Sequence, residues 1–156
     1  VTVPVGADGK VALFNRSTGT TNFIADVSGY YLAGTPTVAG AFQPTAPFRA
    51  LDTRSGAPAG ADSSVSLQVG GVNGIPANVS AVTFNLTVTG PQSYGFAAAY
   101  ASGTTRPNSS NVNFNAGQTV PNSVTVPVGA DGKVALFNRS TGTTNFIADV
   151  SGYYLH

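Results

Sequence analysis

Residues 80–89 read Ser-Ala-Val-Thr-Phe-Asn-Leu-Thr-Val-Thr, and their alternation decides the fold class. Val82, Phe84, Leu86 and Val88 fall on one side of an extended chain, and Thr83, Asn85, Thr87 and Thr89 on the other, because successive side chains of a strand point to opposite faces. One apolar and one polar face is the mark of a half-buried strand. The pattern recurs outward from there. Val65, Leu67 and Val69 alternate with Ser66 and Gln68, Val112 and Phe114 with Asn111, Asn113 and Asn115, and Val124, Val126 and Val128 with their neighbours. Asp131-Gly132 then predicts a hairpin turn into Lys133–Asn138. Phe146, Ala148 and Val150 form a last inward face before Gly152 and the Tyr153–Tyr154 pair. Adding 48–54 and 96–101 gives about eight short strands, punctuated throughout by 19 Gly and 10 Pro, with no helical periodicity. Strands with one apolar face need a second apolar layer, so an all-β sandwich is expected, its strand order jelly-roll or immunoglobulin-like.

The second organising feature is internal. Residues 1–32, VTVPVGADGKVALFNRSTGTTNFIADVSGYYL, recur without a change at 124–155, an offset of 123 residues. Identity over 32 positions means duplication rather than convergence. The first copy continues into Ala33, whereas the second ends in His156. The chain therefore reads as a piece of a tandem array with a unit of about 123 residues. Residues 1–32 are the closing strands of a preceding unit, 33–41 (AGTPTVAGA) a linker, and 42–155 a complete unit. The N-terminal copy is an orphan on this reading, because three strands with nothing to pack against are marginal in water. Whatever accepts one copy can accept the other, so strand exchange between units or chains is expected.

Composition narrows the function classes. Apolar residues make up 42% of the chain, enough for a core, but only 8% are charged, against roughly 25% in an ordinary soluble domain. Ser, Thr, Asn and Gln must supply the polar surface, as in many extracellular sheet modules. The formal net charge is +1 and the seven basic residues are scattered, which argues against nucleic acid. No stretch approaches the roughly 20 apolar residues of a membrane span, so no membrane insertion is expected. Cys, Met, Trp and Glu are absent and the one His is terminal. General bases then reduce to Asp and Lys, with no pair recommended by spacing, and no enzyme, cofactor or metal site is expected.

The segment 42–54, FQPTAPFRALDTR, together with Thr105-Arg106-Pro107, residues 110–114 (SNVNF), 117–119 (GQT), 128–133 (VGADGK) and 149–154 (DVSGYY), resembles the LDTR-motif β-rich repeat of large secreted and cell-surface actinobacterial proteins. The resemblance spans essentially all of 33–155, and Ala50 stands where leucine is common. It implies export and a place outside the cell, in tandem copies or beside other domains. It implies no particular biochemical activity.

Two sets of residues invite a site. Arg49, Asp52, Arg54 and Asp149 fit charge-assisted pairs that pin an irregular first strand. Strict alternation puts Arg49, Leu51 and Thr53 on one face and Asp52 and Arg54 on the other, and Arg106 or Arg139 is the expected partner of Asp149. Asn111, Asn113 and Asn115, with Tyr94 and Tyr100, are candidate glycan contacts, since sugars need amides for hydroxyls and rings for their C–H faces. The expected function is structural or adhesive, with itself or neighbouring units as partner. A carbohydrate-binding module is the alternative.

Overall fold

In the computed structural model, which describes residues 2–27 and 29–156, the alternating segments become strands. They are β1 (Phe42–Asp52), β2 (Ser63–Gln68), β3 (Val79–Thr89), β4 (Gly95–Ala101), β5 (Val112–Phe114), β6 (Thr119–Pro127), β7 (Lys133–Ser140) and β8 (Asn145–Leu155). A short 3-10 turn, Thr53–Ser55, follows β1. The first sheet runs β1-β8-β3-β6 and the second β2-β7-β4-β5. All pairings are antiparallel, β1 with β8, β2 with β7, β3 with β6 and β4 with β5. That nesting is one long hairpin rolled on itself, so the sandwich has jelly-roll order, with the first and last strands side by side.

The side chains of residues 80–89 behave as their alternation dictates. Val82, Phe84, Leu86 and Val88 are fully buried, and they meet Leu67, Val69, Val134, Leu136, Phe146, Ala148 and Val150 between the sheets. Each fully buried side chain of this size contributes about 1.5–3 kcal/mol relative to leaving it in water. On the outer face of the first sheet the hydroxyls satisfy one another: Thr83 with Thr125 (2.9 Å), Thr89 with Thr119 (2.7 Å) and the Asn85 amide with Thr87 (3.1 Å). A buried amide ties the ends together, since Asn138 Nδ2 donates to the carbonyls of Gly60 (2.8 Å) and Gly142 (2.9 Å).

One expectation is corrected. The turn at Asp131-Gly132 exists, with Gly132 at φ +74° and its N–H donating to the Gly129 carbonyl at 2.9 Å. It does not make a hairpin: β6 belongs to the first sheet and β7 to the second. The turn is a corner between layers, because each flanking strand has a better-matched partner elsewhere, nine register pairs with β3 for β6 and six with β2 for β7.

The edges of the first sheet, β1 and β6, carry prolines (Pro44 and Pro47, Pro121 and Pro127). Those of the second sheet, β2 and β5, are short. Residues 2–27 and 29–41 contribute no strand. Val1 and Ser28 of the duplicated segment lie outside the described residues.

Candidate functional site

The LDTR segment forms the densest polar cluster. Across β8 the register of β1 shifts between Arg49 and Leu51, so Ala50 is an extra residue and strict alternation fails there. Arg49 and Asp52, expected on opposite faces, come together instead, Arg49 Nη1 lying 3.3 Å from Asp52 Oδ2. Arg49 also grips Asp149 in bidentate fashion, Nε to Oδ1 at 2.9 Å and Nη2 to Oδ2 at 3.2 Å. The four expected ion-pair residues are thus gathered in one place, but the partner of Asp149 is Arg49 rather than Arg106 or Arg139. The β1–β8 register sets Arg49 directly opposite Asp149. Arg139 pairs with Asp62, and the Arg106 guanidinium lies 4.5 Å from the centre of the Phe137 ring.

Asp52 closes the end of the strand. It accepts from the Arg54 backbone N–H (3.1 Å) and from Arg54 Nε and Nη2 (2.9 and 2.6 Å). The Arg54 guanidinium lowers the Asp52 carboxyl to about 2. The Asp149 carboxylate, hydrogen-bonded to Arg49, raises the pKa of that guanidinium. These groups keep partial access to water, so the pairs add modestly to stability and chiefly fix geometry.

Thr53 is the residue that sequence reasoning missed. It is buried, its Oγ1 accepts the Phe146 backbone N–H at 2.9 Å, and its hydroxyl donates to Asn145 Oδ1 at 3.1 Å. Its only advance signal was its place between Asp52 and Arg54 in the motif. Of the motif's polar residues Thr53 alone is buried, while Arg49, Asp52 and Arg54 pair with one another and with Asp149 at the surface.

The candidate glycan contacts lie along the β4–β5 pair and just beyond its ends. Asn113 projects from β5 between the buried Val112 and Phe114, on the outer face of the second sheet and opposite Phe96 in register. Tyr100 bonds Ser64 through its hydroxyl at 3.3 Å. Asn111 Oδ1 is taken by the Ala99 backbone N–H at 2.7 Å, so this side of its amide is internal. Asn115 sits beyond β5, where its N–H donates to Gln118 Oε1, and Tyr94 precedes β4 and is largely exposed. Phe137, also missed, lies outside the central core under Arg106. Among the described residues no three His, Cys, Asp or Glu side chains are grouped to hold a metal ion.

The duplicated segment is the remaining candidate, and here one sequence meets two environments. Leu136, Phe146 and Val150 are completely buried, whereas their copies Leu13, Phe23 and Val27 are 55%, 53% and 88% exposed. The local turns nevertheless form in both copies. Gly9 N–H donates to the Gly6 carbonyl and Gly6 N–H to that of Lys10, both at 2.9 Å, as Gly132 and Gly129 do in the second copy. The Asn15 amide and the Ser17 hydroxyl both reach the Gly19 carbonyl at 2.8 Å, matching Asn138 and Ser140 on Gly142. Turns need only their own residues, and strands need partners, so the first copy has the former without the latter.

No protein-family model matches the chain, and a search of curated proteins finds no match either.

Proposed function

We propose that the chain is a structural, non-catalytic repeat module of a secreted or cell-surface bacterial protein, joining to further copies through exchange of its closing strands. The observation that carries this reading is the exposed duplicate: residues 2–27 and 29–32 present an apolar face that is interior in the second copy. Such a face on a sequence already matched to a slot is a donor in search of an acceptor. The resemblance of 42–54 to the LDTR-motif repeats supports a setting outside the cell, and the sparse charge agrees with it.

Asp52 and Asp131 are poorly suited to act as general acids. A general acid must keep a proton near neutral pH, which needs a raised pKa. The pKa of Asp52 is lowered by Arg54, and that of Asp131 by the Ser102 hydroxyl and the Lys133 N–H.

The test is light scattering behind a sizing column, on the whole chain and on residues 33–155, which include all eight strands. Concentration-dependent dimers or polymers from the whole chain, with a monomer from 33–155, are the expected result. Monomers of both at all concentrations would refute exchange between copies. The second reading, a carbohydrate-binding module, has one specific support: Asn113 and the outward ring of Tyr94 are free to meet a ligand. Saturable binding of cell-wall sugars, lost in Y94A, would favour it.

A further inference from the structure

The slot lined by β1, β2, β3 and β4 has two candidate occupants in one molecule. We infer that residues 1–32 of the same chain bind this slot in place of 124–155, so that a single chain has two native arrangements related by circular permutation. This goes beyond assembly between copies and does not require it.

Jelly-roll order makes the connection short. Because β8 lies beside β1, the Leu155 N–H donates to the Ala41 carbonyl at 3.0 Å, and the Gly40 N–H donates to the Leu155 carbonyl at 2.9 Å. With Leu32 in the place of Leu155, the linker has only to close a loop between two neighbouring antiparallel strands. Residues 33–41 are small, with Gly34 and Gly40 at positive φ, and closure cost grows slowly with loop length. At the other end the break falls between Ser123 and the segment's start, inside β6, which is an edge strand and pairs only with β3. The two central strands that the segment supplies, β7 and β8, are not interrupted.

Both ends of the free segment already rest against the first sheet, which two of its strands would join. Phe42 is flanked by the two copies of one tyrosine, with ring centres 4.5 Å from Tyr31 and 5.1 Å from Tyr154. Thr2 and Val3, the copies of Thr125 and Val126 in β6, line a cleft with Pro47, Asn85, Ser123, Asp149 and Ser151 of the four strands of that sheet. Between these anchors the two turns of the segment are formed as in the second copy. The incoming strands would recover the same contacts, residue for residue, since the two sequences are identical. The two arrangements therefore differ only in where the chain is joined.

The experiment uses the full chain in four forms: unaltered, L13D, L136D and L13D/L136D. An aspartate at the fully buried position 136 disables the second copy, because an unpaired buried charge is not tolerated. Expected is a cooperative melt for unaltered chain, L13D and L136D, and its loss in the double variant. Limited trypsin digestion reports the occupant. Unaltered chain is cut first at the exposed Lys10 and Arg16, and L136D is cut instead at the corresponding Lys133 and Arg139, now released. Light scattering on the same samples separates the routes. A folded, monomeric L136D with switched cleavage supports exchange within the chain. An L136D that folds only as a dimer, with concentration-dependent melting, overturns it in favour of exchange between copies. An L136D as unfolded as the double variant overturns it as well, and so does a folded double variant or an unchanged cleavage pattern.

Discussion

Replacing Thr53 with valine tests whether the LDTR motif is a device for closing the fold. Valine nearly preserves the shape of threonine, so packing at this buried site stays filled and only the hydroxyl is lost. The Phe146 N–H, whose bond to Thr53 is 2.9 Å and buried, is left without that acceptor, and Asn145 Oδ1 loses its 3.1 Å donor. An orphaned buried donor costs about 1–3 kcal/mol, and the lost acceptor contact places T53V in the middle or upper part of that range, about 2–3 kcal/mol. T53S keeps the hydroxyl and removes one methyl, at about 0.8 kcal/mol. The assay is equilibrium unfolding in urea followed by far-UV circular dichroism at pH 7, with tyrosine fluorescence as a second probe. The expected order of midpoints is unaltered chain, then T53S, then T53V, with an unchanged slope. Equal losses in T53V and T53S would mean that the methyl packs and the hydroxyl is idle. A T53V midpoint within error of the unaltered chain would refute the reasoning outright.

Three further outcomes follow from the same geometry. The Asp52 pKa, lowered to about 2 in the fold, lies below its ordinary value near 4, so its contribution is present above pH 4 and is lost as pH falls toward 2. Urea midpoints between pH 2 and 7 should show that acid loss, and D52N should flatten it. A Cβ at Gly95 would overlap the Arg139 carbonyl oxygen and the Ser140 side chain. G95A should therefore cost at least about 1–3 kcal/mol through forced separation of β4 from β7, read in the same melts. R106A removes the guanidinium over Phe137 and should cost about 0.5–1 kcal/mol, with increased binding of a hydrophobic dye if the ring is uncovered.

Much of the architecture was legible wherever alternation was clean. Val82 to Val88 and Phe146 to Val150 were assigned to their faces because burial of a strand has period two and needs no knowledge of partners. The order of strands was not legible, because it depends on pairing between segments far apart in the chain. The same limit explains the corner at Asp131-Gly132: turn chemistry is local, while the choice of sheet for β6 and β7 is made by β3 and β2. In the candidate site, the residues of the ion-pair cluster were identified and their partners were not. One extra residue at Ala50 rotates Arg49 toward Asp52, and only the register of β8 reveals that Asp149 is opposite. Residue type alone marks Asn111 as a candidate glycan contact and does not reveal that its side-chain Oδ1 accepts the Ala99 backbone N–H.

The proline-bearing edges of the first sheet have a consequence for any crowd of identical chains. An open strand edge is a template on which another chain can add, and identical sequences in register are the best templates for endless growth. Pro44, Pro47, Pro121 and Pro127 interrupt the row of N–H donors along both outer strands of that sheet. In the second sheet the outer strands are only six and three residues long. Lateral fusion into a continuous cross-β ribbon is thereby obstructed along both borders of the first sheet and at the three-residue β5 border of the second. The exchange proposed above is of another kind, since it replaces whole strands inside a closed sandwich. Under the proposed exchange, association of identical chains would proceed by filling slots one donor segment at a time rather than by adding strands to the proline-bearing edges of the first sheet.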